Sequence, residues 1–163
     1  MQTAEKARFN DLTGVLALYR SLIGTEGCAW NEFYPSADDI RQDIVQGGLY
    51  LLRTDKGEII AACALGPDPE LDEVDGWDSG VQNPMGLMRM AVRKDCQRQG
   101  LAGHLLAQVE RDAARQGVDS IRLLAAQTNP SAIALYERAK YRRTGTAHMY
   151  GLDWFCYEKL LNY

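Results

Sequence analysis

The chain has 163 residues, of which 46% are hydrophobic and 25% charged, with a formal net charge of −4 and a pI near 5.2. That is the size and make-up of one globular domain over residues 1–163, and it excludes disordered and collagen-like classes. The acidic balance argues against a nonspecific nucleic-acid surface, and no apolar run approaches the roughly 20 residues of a membrane span, so neither partner is expected.

A short strand is expected at Glu5 to Phe9. Leu12, Val15, Leu16, Leu18, Tyr19, Leu22 and Ile23 then recur at helical spacing until Gly24 and Gly27 end the helix. Ser36 is placed to cap a second helix carrying Ile40, Ile44 and Val45 on one face, closed by Gly47-Gly48. Leu49 to Arg53 and Glu58 to Leu65 flank Thr54-Asp55-Lys56-Gly57, a hairpin turn in which glycine supplies the positive φ. Residues 66–84 hold three prolines and six carboxylates (Asp68, Glu70, Asp72, Glu73, Asp75, Asp78) without a Lys or Arg, and read as a loop.

Met85 to Val92 is the next strand, and Leu101, Leu105, Leu106, Val109 and Ala113 form the apolar stripe of a helix ending at Gly117. Ile121, Leu123 and Ala125 alternate as a strand face. Asn129 then caps a helix with Pro130 in its first position, where the missing N–H does no harm. Arg142 to Met149 and Asp153 to Leu161 complete the chain as strands. Cys28, Cys63, Cys96 and Cys156 are scattered, without the paired spacing that frames a zinc site. Reduced thiols, no metal and a cytoplasmic setting are therefore expected. Cys96 stands beside cations and a helix start, which lower a thiol pKa, but no histidine lies near it in sequence to make it a nucleophile.

The passage from strand to helix at 88–103 has the composition of an anion cradle. Gly100, Ala102 and Gly103 let a ligand approach the main chain, and the first N–H groups of a helix lack intrahelical partners. Arg93, Lys94 and Arg98 add positive charge, while Gln97 and Gln99 add amide donors. A second segment follows at Asn129-Pro130-Ser131-Ala132-Ile133-Ala134-Leu135-Tyr136.

Together the two segments resemble the GNAT superfamily of N-acetyltransferases. Gln97-Arg98-Gln99-Gly100-Leu101-Ala102 matches that family's acetyl-CoA signature Gln/Arg-x-x-Gly-x-Gly/Ala, and Asn129 to Tyr136 matches its Asn-x-x-Ala-x-x-Leu-Tyr helix. The resemblance implies a mixed α/β fold, with a mostly antiparallel twisted sheet of about six to seven strands flanked by about four helices. It also implies that two strands splay at a cofactor cleft. Acetyl-CoA is the implied cofactor, with its diphosphate on Gln97, Arg98, Gln99, Gly100, Leu101, Ala102 and Gly103, its arm along Met90, Ala91 and Val92, and a further contact at Asn129. Tyr136 matches the family's general acid. A phenol of pKa about 10 is suited to protonate a departing thiolate near 8.5 when the two touch.

The acceptor implied is a primary amine of a small molecule or peptide, and a homodimer is consistent with the family. Two positions depart from the pattern. No carboxylate lies in Met85 to Val92, where relatives often carry a glutamate base, so the proton acceptor falls to Glu73 or Asp75 of the acidic loop or to ordered water. Lys140 stands where glycine usually follows the tyrosine-bearing helix. A left-handed conformation there costs lysine about 1 kcal/mol, and a different helix ending is the alternative. A CoA-binding domain without catalysis is the rival reading. The Gly-x-Gly-x-x-Gly of a nicotinamide-binding fold is missing. Trp30, Tyr34, Trp77 and Trp154 are weighed as pocket lining but read as core, and His104 and His148 as structural.

Overall fold

Strand residues of alternate parity feed two cores, one on each side of a single sheet. Leu49, Leu51, Ala62 and Ala64 join one cluster, while Tyr50, Leu52, Ala61 and Cys63 join the other, as the two-residue period of a strand requires. The computed structural model describes residues 2–161. Its strands are β1 (Glu5–Lys6), β2 (Leu49–Arg53), β3 (Ile59–Gly66), β4 (Pro84–Val92), β5 (Ser120–Ala126), β6 (Arg142–Met149) and β7 (Leu152–Leu160). They lie in the order β1-β2-β3-β4-β5-β7-β6, all antiparallel except the β4–β5 pair. Helices α1 (Leu12–Ser21) and α2 (Ala37–Val45) supply Val15, Tyr19, Ile40 and Ile44 to the first core. Helices α4 (Leu101–Arg115) and α5 (Pro130–Arg138) supply Leu105, Val109, Leu135 and Tyr136 to the second.

The local signals do what their chemistry dictates. Ser36 accepts from the Asp39 N–H at 3.2 Å while Asp39 accepts from the Ser36 N–H at 2.8 Å, a capping box that starts α2. Gly57 takes φ 85° in the β2–β3 turn. The mixed fold and seven-stranded sheet match expectation, but among the described residues there is one helix more than the four foreseen. This is α3 (Pro69–Asp72), a single turn inside the segment read as loop. Asp68 caps it by accepting from the Leu71 N–H at 3.1 Å, and Pro69 occupies its first position. The first strand is also shorter than expected, because Phe9 begins a 3-10 turn, Phe9–Asp11, that Arg8 caps. No described helix is long and apolar enough to cross a membrane.

The departure of β4 from β5 positions the site. These neighbours pair only at Pro84 with Ser120, Met85 with Ile121 and Gly86 with Arg122, yet β4 runs on to Val92 and β5 to Ala126. Beyond Gly86, β4 keeps β3 as a partner and exposes its other edge to a gap. The β3–β4 register also shifts between Ala62 and Ala64, which face Ala91 and Met88, so β4 carries an extra residue. Arg89 takes that bulge at φ 55°, a left-handed conformation unusual for arginine.

Candidate active site

The gap between β4 and β5 opens into a cleft of about 2070 Å³. An ordinary small-molecule pocket holds about 300–1,000 Å³, so this volume suits a large cofactor together with a second reactant. The lining brings together Met90, Ala91, Val92, Gln97, Arg98, Gly100, Leu101, Ala102, Gly103, Asn129 and Tyr136 of the expected site residues. Gln99 and Glu73 lie outside it. Glu73 instead forms the C-terminal end of α3.

At the start of α4 the main chain presents a row of free donors. Among the described residues, no protein group accepts from the N–H groups of Arg98, Gln99, Gly100, Leu101, Ala102 or Gly103; the first helical bond comes from His104 to the Gly100 carbonyl at 3.0 Å. Arg98 at φ 64° and Gly100 at φ 78° are both left-handed, and such alternation gathers successive N–H groups into a concave anion nest. A Cβ at Gly100 would meet nothing within 4 Å, so the nest is open. Lys94 and Arg98 line it, whereas Arg93 is engaged by Asp95 at 2.7 Å and Glu58 at 2.8 Å. Gln97 turns its amide back to the Val92 carbonyl at 3.0 Å, tying the turn to the end of β4. Six unpartnered donors with adjacent cations fit a diphosphate.

Tyr136 lies across the cleft on α5. It is 6% exposed, its ring packs edge-on to Tyr141 with centroids 5.6 Å apart, and its hydroxyl has no hydrogen-bond partner among the described residues. Burial first, and the nearby Cys63 second, push the phenol above its ordinary range. Asn129 caps α5 by accepting from the Ala132 N–H at 3.2 Å, and its amide lines the same cleft. Gly27 fits against it, since a Cβ there would lie 2.9 Å from Asn129 Oδ1.

Helix α5 ends in a Schellman motif: the Tyr141 N–H reaches the Tyr136 carbonyl at 2.9 Å and the Lys140 N–H reaches that of Glu137 at 3.1 Å. Lys140 is left-handed at φ 72°, so it adopts the glycine-like conformation rather than a different ending.

Arg89 is the wall residue that sequence reasoning missed. Its guanidinium grips Asp43 through Nε at 3.0 Å and Nη2 at 2.6 Å, and Nη1 donates to the Tyr34 hydroxyl at 2.9 Å. Burial opposes its charge, but the Asp43 carboxylate outweighs that penalty and Arg89 stays protonated. The only trace in the sequence is a lone cation between Met88 and Met90. Of the aromatic residues read as core, Trp30, Tyr34 and Trp154 line the cleft, while Trp77 stacks on Arg122 with 5.2 Å to its ring centre. His104 is held by Gln108 and the Gln2 carbonyl, a structural role. All four cysteines are free, and the Cys96 sulfur donates to Asp95 at 3.5 Å.

The sheet thus opens between its parallel pair, with an amide nest on one side of the gap and a tyrosine on the other. The chain belongs to the acetyltransferase (GNAT) family, whose model matches residues 15–141. Solved structures share the fold. The ribosomal-protein-S18-alanine N-acetyltransferase of Escherichia coli is 20% identical with TM-score 0.75, the match covering 100% of this chain and 96% of that one. A GNAT-family acetyltransferase of Streptococcus agalactiae is 19% identical with TM-score 0.83, covering 99% and 96%. A phosphinothricin acetyltransferase of Sinorhizobium meliloti, solved with acetyl-CoA, is 15% identical with TM-score 0.77, covering 99% and 89%. A search of curated proteins by sequence returns no match.

Proposed function

We propose that this chain is an N-acetyltransferase that moves the acetyl group of acetyl-CoA to a primary amine of a small molecule or peptide, by direct attack in a ternary complex. The observation that carries the reading is the convergence of the free-amide turn at Arg98 and Gly100 to Gly103, the unpaired edge of β4 and the Tyr136 side chain on one cleft. Acetyl-CoA, when bound, supplies a thioester whose acyl carbon is open to an amine.

The nest with Lys94 and Arg98 binds the diphosphate through charge-assisted hydrogen bonds. The free edge of β4 orients an extended chain by main-chain hydrogen bonds, and the main-chain N–H groups of the 90–92 stretch that do not pair with β3 polarise a carbonyl placed there. Tyr136 holds a proton at its phenol oxygen, and burial keeps it there at neutral pH. That proton serves the departing sulfur. Glu73 stands off the cleft lining, so the proton lost by the amine is assigned to ordered water rather than to that carboxylate. Four free cysteines fit a reducing compartment, and the cytoplasm is the proposed setting.

The test is thiol release from acetyl-CoA over a panel of amines, with the acetylated product identified by mass. Turnover of at least one acceptor is expected. Tight acetyl-CoA binding without transfer to any acceptor would replace this reading with that of a CoA-binding domain lacking catalysis.

A further inference from the structure

The stretch of β4 that faces the gap is supported along one edge, and the ladder on that edge is broken. Ala91 lies opposite Ala62 and Met88 opposite Ala64, so Arg89 and Met90 together face Cys63 alone. Among the described residues, no strand pairs with the other edge beyond Gly86. A strand interrupted on one side and open on the other shifts easily unless side chains fix it.

Both ends of the stretch are fixed. On the far side the Arg93 N–H donates to the Ile60 carbonyl at 2.8 Å, and the Gln97 amide donates to the Val92 carbonyl at 3.0 Å. Successive residues of a strand turn their N–H groups to opposite edges, so with Arg93 turned to β3 the Val92 N–H faces the gap.

On the near side stands Arg89, whose left-handed backbone at φ 55° is one that a residue with a Cβ keeps only when its surroundings impose it. The imposing group is Asp43. Nε and Nη2 of Arg89 donate to its two carboxylate oxygens at 3.0 and 2.6 Å, and Nη1 donates to the Tyr34 hydroxyl at 2.9 Å. The side chains of the pair are only 10% and 8% exposed, so water screens it little. Asp43 is in turn carried by α2, whose Ile40 and Ile44 are sunk in the first core. Apolar residues of similar volume would stabilise such a place as well, whereas a two-pronged contact fixes an angle as well as a distance.

We infer that Arg89 and Asp43 are positioning residues for acetyl transfer: their ion pair braces the β4 bulge, so that the gap-facing N–H of the 90–92 stretch meets the thioester carbonyl at a fixed place. The inference rests on the acetyl-transfer reading given above, because the brace acts through amides that serve that reaction. Neither side chain touches the reacting atoms in this role.

The experiment follows acetyl-CoA labelled with 13C at the thioester carbonyl, bound without an amine, by isotope-edited infrared difference spectroscopy. On the wild-type protein the carbonyl band should move to lower frequency, the signature of polarisation by aimed donors. The double variant Arg89→Met, Asp43→Leu replaces both charges by apolar groups of similar volume, and its urea-unfolding midpoint should not fall. Its band shift should drop to about half or less, and its kcat with the amine that turns over best should fall about ten- to hundredfold. Acetyl-CoA affinity by calorimetry should stay within about threefold, since the diphosphate nest is untouched. Arg89→Lys keeps the charge and loses the fork, so it should fall between the two proteins in band shift and kcat; it carries the same test if the double variant does not fold.

A full band shift and an unchanged kcat in the folded variants, or no band shift in the wild-type protein, would overturn the inference and leave acetyl transfer standing. Equal losses of kcat, affinity and stability would also overturn it, by making the pair a support of the fold alone. Binding of acetyl-CoA by the wild-type protein without transfer to any amine of the panel would overturn both readings.

Discussion

The basic turn at 93–103 and the acidic segment at 66–84 border the same cleft but treat their polar groups in opposite ways. In the turn, six successive amide donors find no protein acceptor among the described residues, and two residues accept left-handed backbones to gather them. In the acidic segment much of the polar capacity goes to the fold: Asp72 is paired with Arg122, Asp78 accepts from the Gly80 N–H at 2.8 Å, and Asp68 caps α3. Formal charge therefore locates neither site by itself. What separates a ligand-facing group from a structural one is whether the protein has already satisfied it.

The largest effect should come from filling the turn. Gly100→Glu places a carboxylate in the nest and a side chain on a backbone at φ 78°. Acetyl-CoA affinity, followed by calorimetric titration, should fall by more than about 10³-fold, about 4 kcal/mol, through repulsion between like charges. Gly100→Ala meets no atom within 4 Å and should cost only the strain of the left-handed backbone, about 1 kcal/mol. An equal loss in both variants would show that conformation, not charge, rules the turn.

The acidic segment should respond in stability instead. Glu158 is 3% exposed and accepts from Ser120, Arg122 and the Asp78 N–H, so Glu158→Gln leaves a buried guanidinium short of charge. Urea unfolding should show a loss of about 3 kcal/mol, with acetyl-CoA affinity of the folded protein nearly unchanged. A selective loss of cofactor affinity would erase the distinction between the two segments.

Tyr136→Phe should act on turnover alone. Removing a positioned proton donor costs about 10²-fold in kcat, while the ring keeps its packing on Tyr141 and acetyl-CoA affinity holds. Rapid-quench kinetics at saturating acceptor would check it, and an unchanged kcat would remove the acid role.

The parts of the site legible in the sequence are those made by contiguous residues. The Gly100 turn and the Asn129 cap follow from local spacing, because helix starts and ends are set by neighbours within a few positions, whereas Tyr136 stands out only through the resemblance of 129–136 to the family's helix. Arg89 and Asp43 stand 46 positions apart and meet only through the β4 bulge and the packing of α2. The clamp of Arg122 on Asp72 and Glu158 likewise depends on the β5–β7 register, which places Arg122 opposite Glu158. No local pattern encodes such meetings. The separation of β4 from β5 is of the same kind: strand propensity marks both segments, but where pairing stops is a property of the assembled sheet.

The smallest effect tests whether strain means the same thing at both ends of the cleft. Arg98 and Lys140 are both left-handed, yet Arg98 borders free donors while Lys140 closes a Schellman motif whose bonds are all made. Lys140→Gly should relieve about 1 kcal/mol of strain, part of which the more flexible unfolded chain offsets, leaving a gain of up to about 1 kcal/mol in urea unfolding. Because glycine preserves the Tyr141 bond to the Tyr136 carbonyl, the phenol keeps its place and kcat should stay within about twofold. Arg98→Gly relieves similar strain but removes a cation from the nest, so acetyl-CoA affinity should fall even as stability rises. If both substitutions stabilise the fold and only the second weakens cofactor binding, the left-handed backbone at Arg98 serves the ligand and that at Lys140 serves the helix end.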